Sequence, residues 1–247
     1  MATIAIGDIH GHLRALEDLL AQLRQEASKD DVVVFLGDYI DRGPEPKGCV
    51  DAILTFERET AADVVCLCGN HEEAFLRTLR THQHHSWLLG MEGFDTVKSY
   101  SEEAADVLLR AAYSTKASLY LGHGELPYQV FFDAIPESHL SFFDRLLPYY
   151  RNSDCICTHG GLDPRIARFE DQPQRALIWG VKGFEDTYVG TDTIVYGHWS
   201  NADIDADLWP RPKIAGNSIG IDTILHGVLT AIRLPDRRVI QSNRYDY

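Results

Sequence analysis

The sequence predicts an α/β fold, on three observations. Short apolar runs end three times within the first seventy residues in glycine and a polar side chain, at Gly7-Asp8, Gly37-Asp38 and Gly69-Asn70. Stretches of helical periodicity separate these runs. After about residue 153 the pattern changes to short strands with few helices. In order, Thr3 to Ile6 reads as a buried strand, and Leu13, Leu16, Leu19, Leu20 and Leu23 recur at helical spacing. Val32 to Leu36 is a second strand and closes a βαβ unit. Pro46, whose ring presets the first helical turn, opens a helix through about Phe56. Val64 to Cys68 is a third strand, and Glu72 to Leu79 starts a third helix.

Two later stretches, 101–113 and 136–150, read as amphipathic helices covering the first sheet. The second has Leu140, Phe143, Leu146 and Leu147 on one stripe. Cys155 to Thr158, Thr193 to Tyr196, Ile219 to Asp222, Val228 to Leu234 and Val239 to Ser242 then predict a second, partly antiparallel sheet. With no repeat, low-complexity tract or linker, residues 1–247 are expected to form a single domain, with 82–152 as a helical insertion.

Composition narrows the chemistry. A chain of 247 residues with 45% hydrophobic content can bury a sizeable core. A net charge of -14 repels polyanions, so nucleic acid is excluded as a partner. Five cysteines do not suggest a disulfide framework. Cys66/Cys68 and Cys155/Cys157 fall in strand-like runs, where alternation puts both sulfurs of a pair on one buried face, so they read as core and not as thiolate ligands. No apolar run approaches eighteen residues, and Thr3 to Ile6 passes straight into Gly7-Asp8 without a signal-peptide core. No membrane association and a reducing, cytoplasmic location are therefore expected.

The chemistry is carried by ordered strings: Gly7-Asp8-Ile9-His10-Gly11, Gly37-Asp38-Tyr39-Ile40-Asp41-Arg42-Gly43 and Gly69-Asn70-His71-Glu72. His159 in Thr158-His159-Gly160-Gly161 and His198 in Tyr196-Gly197-His198-Trp199 follow apolar strands in the same manner. Taken singly, Asp8 and Asp38 are ordinary turn or N-cap residues, and a histidine beside glycine is an ordinary hydrogen-bonder. Taken together they place carboxylate, amide and imidazole groups at five strand ends, where parallel α/β sheets gather their ligands. Hard oxygen and imidazole donors without thiolate suit Mn²⁺, Fe or Zn²⁺.

This ordered set resembles the calcineurin-like metallophosphoesterases, and within them the phosphoprotein phosphatase family with its small bacterial and phage members, over essentially the whole chain. The resemblance implies a sandwich of two mixed β-sheets flanked by helices, with a helical cap over the metals. It implies two divalent ions, Mn²⁺ first and Fe or Zn²⁺ next. Asp8 and His10 would hold one, Asp38 would bridge both, and Asn70, His159 and His198 would hold the second. A hydroxide between the ions would attack phosphorus in line. His71, oriented by Asp41, would protonate the leaving oxygen as general acid. Arg42 would offer a planar fork to two phosphate oxygens, with Asn70 also touching substrate.

Relatives usually carry a second phosphate-binding arginine two residues after a tryptophan, whereas Trp179-Gly180-Val181-Lys182 has valine there. That clamp is absent or replaced, and Lys182 is the substrate-binding candidate beside Arg165, Arg168 and Arg175, among which spacing does not choose. Glu72 reads as a complement to the helix dipole, and His12 as a helix-start or surface residue. His82-Gln83-His84-His85 with Ser86-Trp87-Leu88-Leu89-Gly90 resembles the cap segment of the small members, although a polar turn leading into packing of Trp87 and Phe94 explains it equally.

The intact Asp41/His71 pair favours phosphomonoester hydrolysis by a serine/threonine protein phosphatase, acting on a phosphorylated protein or a small phosphoester. Gly197-His198-Trp199, with the segment from Leu229-Thr230 through Gln241-Ser242-Asn243, resembles the symmetrical diadenosine tetraphosphate hydrolases, which are the alternative. A non-enzymatic metal-binding scaffold is the third reading.

Overall fold

Alternation along two short strands builds the centre of the molecule. In β1 (Thr3–Ile6), Ile4 and Ile6 face one way and Ala5 the other; in β2 (Val32–Phe35), Val33 and Phe35 oppose Val32 and Val34. Ile4, Ile6, Val33 and Phe35 meet the leucines of α1 (Leu13–Glu26) and Val50, Ile53 and Phe56 of α2 (Pro46–Glu59). Ala5, Val32 and Val34 meet Cys155, Cys157, Val195 and Ile219 of a second sheet. The far side of that sheet, with Ile156, Ile194 and Tyr196, is covered by Leu177 and Phe184. The result is four layers: helix, sheet, sheet, helix. The computed structural model describes residues 2–83, 85–120, 124–200, 202–204 and 208–246, the side chains of 115–120 excepted.

The first sheet runs β11-β10-β1-β2-β3, with β3 at Asp63–Cys66, β10 at Thr230–Leu234 and β11 at Arg238–Gln241. β1, β2 and β3 are parallel, in the register Ile6↔Phe35 and Phe35↔Cys66. The second runs β4-β5-β6-β9-β8-β7. These strands are β4 (Tyr149–Arg151), β5 (Ile156–Thr158), β6 (Ile194–Tyr196), β7 (Ala202–Ile204), β8 (Pro210–Ala215) and β9 (Ser218–Gly220). Its middle strands β5, β6 and β9 are parallel.

Two expectations need correction. The late strands β10 and β11 do not join the second sheet: β10 pairs antiparallel with β1, closing what would be an open parallel edge. The helix read over 136–150 is only α8, Glu137–Asp144. Pro148 disfavours helical backbone at Leu147, which is half-exposed and bridges to Leu67, and Tyr149–Arg151 becomes β4. The other insertion helices are α4 (Ser86–Gly90), α5 (Gly93–Tyr100), α6 (Glu102–Tyr120) and α7 (Gln129–Phe132). Trp87, Phe131 and Phe143 pack against Phe75 of α3 (Asn70–Thr81), and Phe142 against Tyr39, in the same core as the first sheet. Two short helices, α9 (Gln174–Trp179) and α10 (Phe184–Thr187), lie on the second sheet. All five cysteines are free and buried, and Cys155 and Cys157 share a face with their sulfurs 3.7 Å apart. Among the described residues no helix is long and apolar enough to cross a membrane.

Where the two sheets close on each other, Gly7 admits the Ile221 carbonyl; a Cβ there would stand 2.4 Å from Ile221 O. Gly7→Ala is therefore expected to lower stability by about 1–3 kcal/mol, because backbone must move to accept the methyl group. Urea unfolding of the metal-free protein checks this as a lower midpoint at unchanged slope.

Candidate metal centre

Strand direction places the functional side chains on one edge. Asp8 and His10 follow β1, Asp38, Asp41 and Arg42 follow β2, and Asn70 and His71 open α3 after β3. His159 follows β5 and His198 follows β6, so both sheets deliver to the same crevice. Five of these residues have left-handed backbone: His10 (φ 47), Asp38 (φ 51), Asp41 (φ 68), Arg42 (φ 67) and His198 (φ 68). Each costs roughly 1–2 kcal/mol outside glycine, so such a loop persists only when its surroundings fix it.

Glu72 does much of that fixing. Its Oε2 accepts the amides of Asp38 (2.8 Å) and Gly69 (3.1 Å), and its Oε1 those of Tyr39 (2.9 Å) and Ile40 (3.3 Å). The Glu72 carboxylate is fully buried and clamps the β2 loop to the start of α3. That is a larger role than complementing a helix dipole. The Asp38 carbonyl accepts the amides of Ile9 and His10 at 3.0 and 2.8 Å, which ties the β1 loop to the same frame.

The donors converge on Asp38. Its Oδ2 lies 3.4 Å from His10 Nε2, 3.4 Å from His159 Nε2 and 3.9 Å from His71 Nε2. Asn70 Oδ1 lies 2.9 Å from His159 Nε2 and 2.8 Å from His198 Nδ1. Two compact groups result, His10–Asp38–His71 and Asp38–His159–His198, with Asp38 common to both. Nδ1 of His10 donates to Ile40 O and Nδ1 of His159 to Leu36 O, each at 3.0 Å, which turns both Nε2 atoms inward. Asp8 Oδ2 accepts the His198 amide at 3.0 Å, while its buried Oδ1 has no partner. A Cβ at Gly197 would stand 1.9 Å from that oxygen, so the glycine keeps open the space the orphaned atom faces.

Electrostatics agree with a cation at this place. Burial drives His10 well below its ordinary value, and burial with the His159 charge takes His198 to about 4, so both are neutral ligand-type imidazoles at pH 7. Burial by itself would also lower His159, yet the Asp38 and Asp8 carboxylates hold it up at about 10. Its proton supplies the positive charge that a metal would replace. Burial, then the neighbouring Asp222 charge, hold the Asp8 carboxyl well above its usual range. Acceptor atoms 2.8–3.4 Å apart repel unless a proton or cation lies among them. Donors ~2.1 Å from one octahedral ion stand ~3 Å apart. The residues present fit two divalent cations that share Asp38.

Beside this set, Asp41 Oδ2 accepts from His71 Nδ1 at 2.7 Å and from Trp87 Nε1 at 2.9 Å, and Asp41 Oδ1 accepts from Thr96 Oγ1. Trp87 and Thr96 come from α4 and α5, so the helical insertion reaches the centre by holding Asp41. Burial would lower His71, but Asp38 and Asp41 raise it above the ordinary histidine value. Arg42 is exposed, with its guanidinium 2.9 Å from His10 Nε2 and 3.3 Å from His71 Nε2.

The structure thus brings together Asp8, His10, Asp38, Asp41, Arg42, Asn70, His71, His159 and His198. It does not bring in Lys182, which is exposed on the turn after α9. Arg165 is paired with Asp163, and Arg175 lies over the Trp179 ring. His12 is buried, its Nδ1 on the carbonyls of His10 and Ile9. His85 is a buried hydrogen-bonder to Tyr128 and the Gly124 carbonyl, His82 ends α3, and His84 lies outside the described residues. Sequence reasoning missed the parts played by Glu72, Trp87, Thr96 and Asp222. Only Asp222 carries the usual signal, an acid ending the apolar run Ile219-Gly220-Ile221 as Asp8 ends its own.

Fold and centre together define a metal-dependent phosphoesterase. The chain belongs to the calcineurin-like phosphoesterase family, whose model matches residues 1–227, and it is a metal-dependent phosphatase of the hydrolase class with a dinuclear centre implied by the family. It is 23% identical over 260 residues to an asymmetrical bis(5'-nucleosyl)-tetraphosphatase of Oceanobacillus iheyensis, covering 95% of this chain and 89% of the relative. Serine/threonine-protein phosphatase 2 of Escherichia coli is 36% identical over 107 residues, 42% of this chain and 46% of that one. Among solved structures, one provisionally named a diadenosine tetraphosphatase superposes with a TM-score of 0.63 at 20% identity, over 100% of this chain and 95% of that one. The cold-active protein-tyrosine phosphatase of a Shewanella species gives 0.55 at 16%, over 97% and 77%. At these identities the two structures report the fold alone.

Two substitutions test the supporting shell. Glu72→Gln turns an amide nitrogen toward backbone donors and is expected to destabilise by about 1–3 kcal/mol, read by urea unfolding. Trp87→Phe keeps the ring and removes one donor to the buried Asp41 carboxylate; kcat is expected to fall about tenfold with Mn²⁺ affinity unchanged, read by steady-state kinetics beside metal titration.

Proposed function

We propose that this chain hydrolyses phosphomonoesters and acts on phosphoserine or phosphothreonine in proteins, with Mn²⁺ as the first candidate metal and Fe or Zn²⁺ next. The observation that carries the reading is the 2.7 Å contact between His71 Nδ1 and Asp41 Oδ2. It supports a charged, oriented imidazole beside the centre, placed to protonate a poor alkoxide leaving group.

Asp8, His10, Asp38, Asn70, His159 and His198 would hold the two cations. When bound, these lower the pKa of a shared water and neutralise the phosphoryl oxygens. Arg42, exposed at the mouth and bridging His10 and His71, swings its fork onto two phosphate oxygens and fixes the scissile bond. With Nδ1–H held by Asp41, His71 presents Nε2 toward the centre and delivers its proton to the departing oxygen. Five unpaired buried cysteines support a reducing, cytoplasmic setting.

A second reading, hydrolysis of a dinucleoside tetraphosphate, is favoured by the near full-length match to a tetraphosphatase and by an open cleft of about 1080 Å³ beside Arg42. His226, Arg244, Tyr245 and the exposed Leu225 line that cleft, which gives room for a large leaving group.

Metal-free protein refilled with Mn²⁺ should cleave p-nitrophenyl phosphate and a phosphoserine peptide. Cleavage of diadenosine tetraphosphate with the peptide untouched would transfer the assignment to the second reading, and no cleavage with any metal would leave a binding scaffold. His71→Asn is expected to lower kcat by about 10²–10⁴-fold while sparing metal affinity, and Asp38→Asn to lower both; equal metal loss in the two would refute the acid role. The acid works only when protonated, so the rate is full below the raised His71 pKa and lost as pH rises through it. Asp41→Asn is expected to shift that alkaline limb of the kcat profile to lower pH.

A further inference from the structure

His198 does not sit on regular backbone. It begins a turn in which both His198 (φ 68) and Ser200 (φ 52) are left-handed, a conformation that side-chain-bearing residues hold only under restraint. The amide of His198 donates to Asp8 Oδ2 at 3.0 Å, and that of Ser200 donates to Asp222 Oδ2 at 2.6 Å. Between them the Trp199 amide donates to Gly197 O at 2.9 Å. Each strained residue is thus tied to its own carboxylate, one from each sheet. Asp222 follows β9, which is registered beside β6 so that Tyr196 pairs with Gly220 and the Ile221 amide donates to Tyr196 O. The missing Cβ at Gly7 lets Ile221 approach β1, which sets Asp222 close to Asp8. Asp222 is 1% exposed, its Oδ1 has no partner, and nothing in the catalytic scheme uses it.

We propose that Asp222 is a positioning residue for the metal centre: by clamping the Ser200 amide it holds the His198–Ser200 turn in its strained form and so aims the His198 imidazole at Asn70. The inference rests on the reading of His198 as a metal ligand. With the Ser200 amide held by the Asp222 carboxylate, His198 Nδ1 lies 2.8 Å from Asn70 Oδ1. Groups that orient ligands in this way change metal affinity by about 10–100-fold when removed.

The test is Mn²⁺ titration calorimetry on metal-free protein, with circular dichroism to confirm folding. Wild type is expected to bind two ions; if it binds none, the metal-centre reading itself fails and the positioning question does not arise. Asp222→Ala is expected to bind at least one ion about tenfold more weakly. Asp222→Asn keeps an oxygen acceptor for the Ser200 amide and is expected to stay within about threefold of wild type. Adding Ser200→Gly to Asp222→Ala removes the need for restraint, since glycine takes left-handed backbone freely, and is expected to recover at least threefold of the loss. Wild-type affinity in Asp222→Ala, an Asn variant as weak as the Ala variant, or no rescue by Ser200→Gly would each overturn the clamp. Should the Ala variant not fold, amide hydrogen exchange of wild type decides: protection of Ser200 together with His198 supports the clamp, and free-peptide exchange at Ser200 overturns it.

Discussion

One buried carboxylate, Asp38, organises the site. Its Oδ2 is approached by His10, His159 and His71, and its Oδ1 accepts the His71 amide at 3.1 Å. Burial alone would keep its proton on, yet the His159 and His71 charges hold it well below the ordinary range. An ionised, fully buried carboxylate needs compensating positive charge, and protons or cations on the surrounding imidazoles supply it. The two donor groups share Asp38, so displacing it would disturb both at once.

Holding that carboxylate in place explains much of the surrounding architecture. Left-handed backbone at His10, Asp38, Asp41 and Arg42 is stabilised by bonds that cross between elements: Glu72 onto the β2 loop, the Asp38 carbonyl onto the β1 loop, and Thr96 Oγ1 onto the Asp41 amide. The parallel strands contribute direction, and the helix that opens at Asn70 contributes both an oxygen donor and the Glu72 clamp. The insertion participates through Trp87 and Thr96, which link its packing to the orientation of His71. A change at Trp87 or Thr96 can therefore alter the setting of His71 without touching the residues gathered on Asp38.

Beyond the centre, an open cleft lies beside Arg42. The cleft there is walled by Glu92 and Asp95 from the start of α5 and by the carboxyl-terminal residues Arg244, Tyr245 and Asp246. Both signs of charge and exposed apolar side chains meet in it. Lys182 is not among the residues that line this cleft, whereas Arg42 is.

The strings that end β1, β2, β3, β5 and β6 could be read from sequence because each is local: an apolar run, a glycine and a donor within a few positions. Helical spacing showed α1, Pro46 marked the start of α2, apolar runs showed β1 and β2, and alternation showed the faces of Cys155 and Cys157. Sequence did not show that β10 would pair with β1 or that 149–151 would leave the helix pattern, because sheet partners are chosen by edges that only the assembled sheet possesses. Nor did it show what Glu72, Trp87, Thr96 and Asp222 do, since their partners lie far along the chain: Asp38 is 34 residues from Glu72, and Asp41 is 55 from Thr96. Donor types and strand ends were written in local chemistry. The hydrogen bonds that keep those donors in strained positions belong to tertiary packing, because they join segments far apart in the chain.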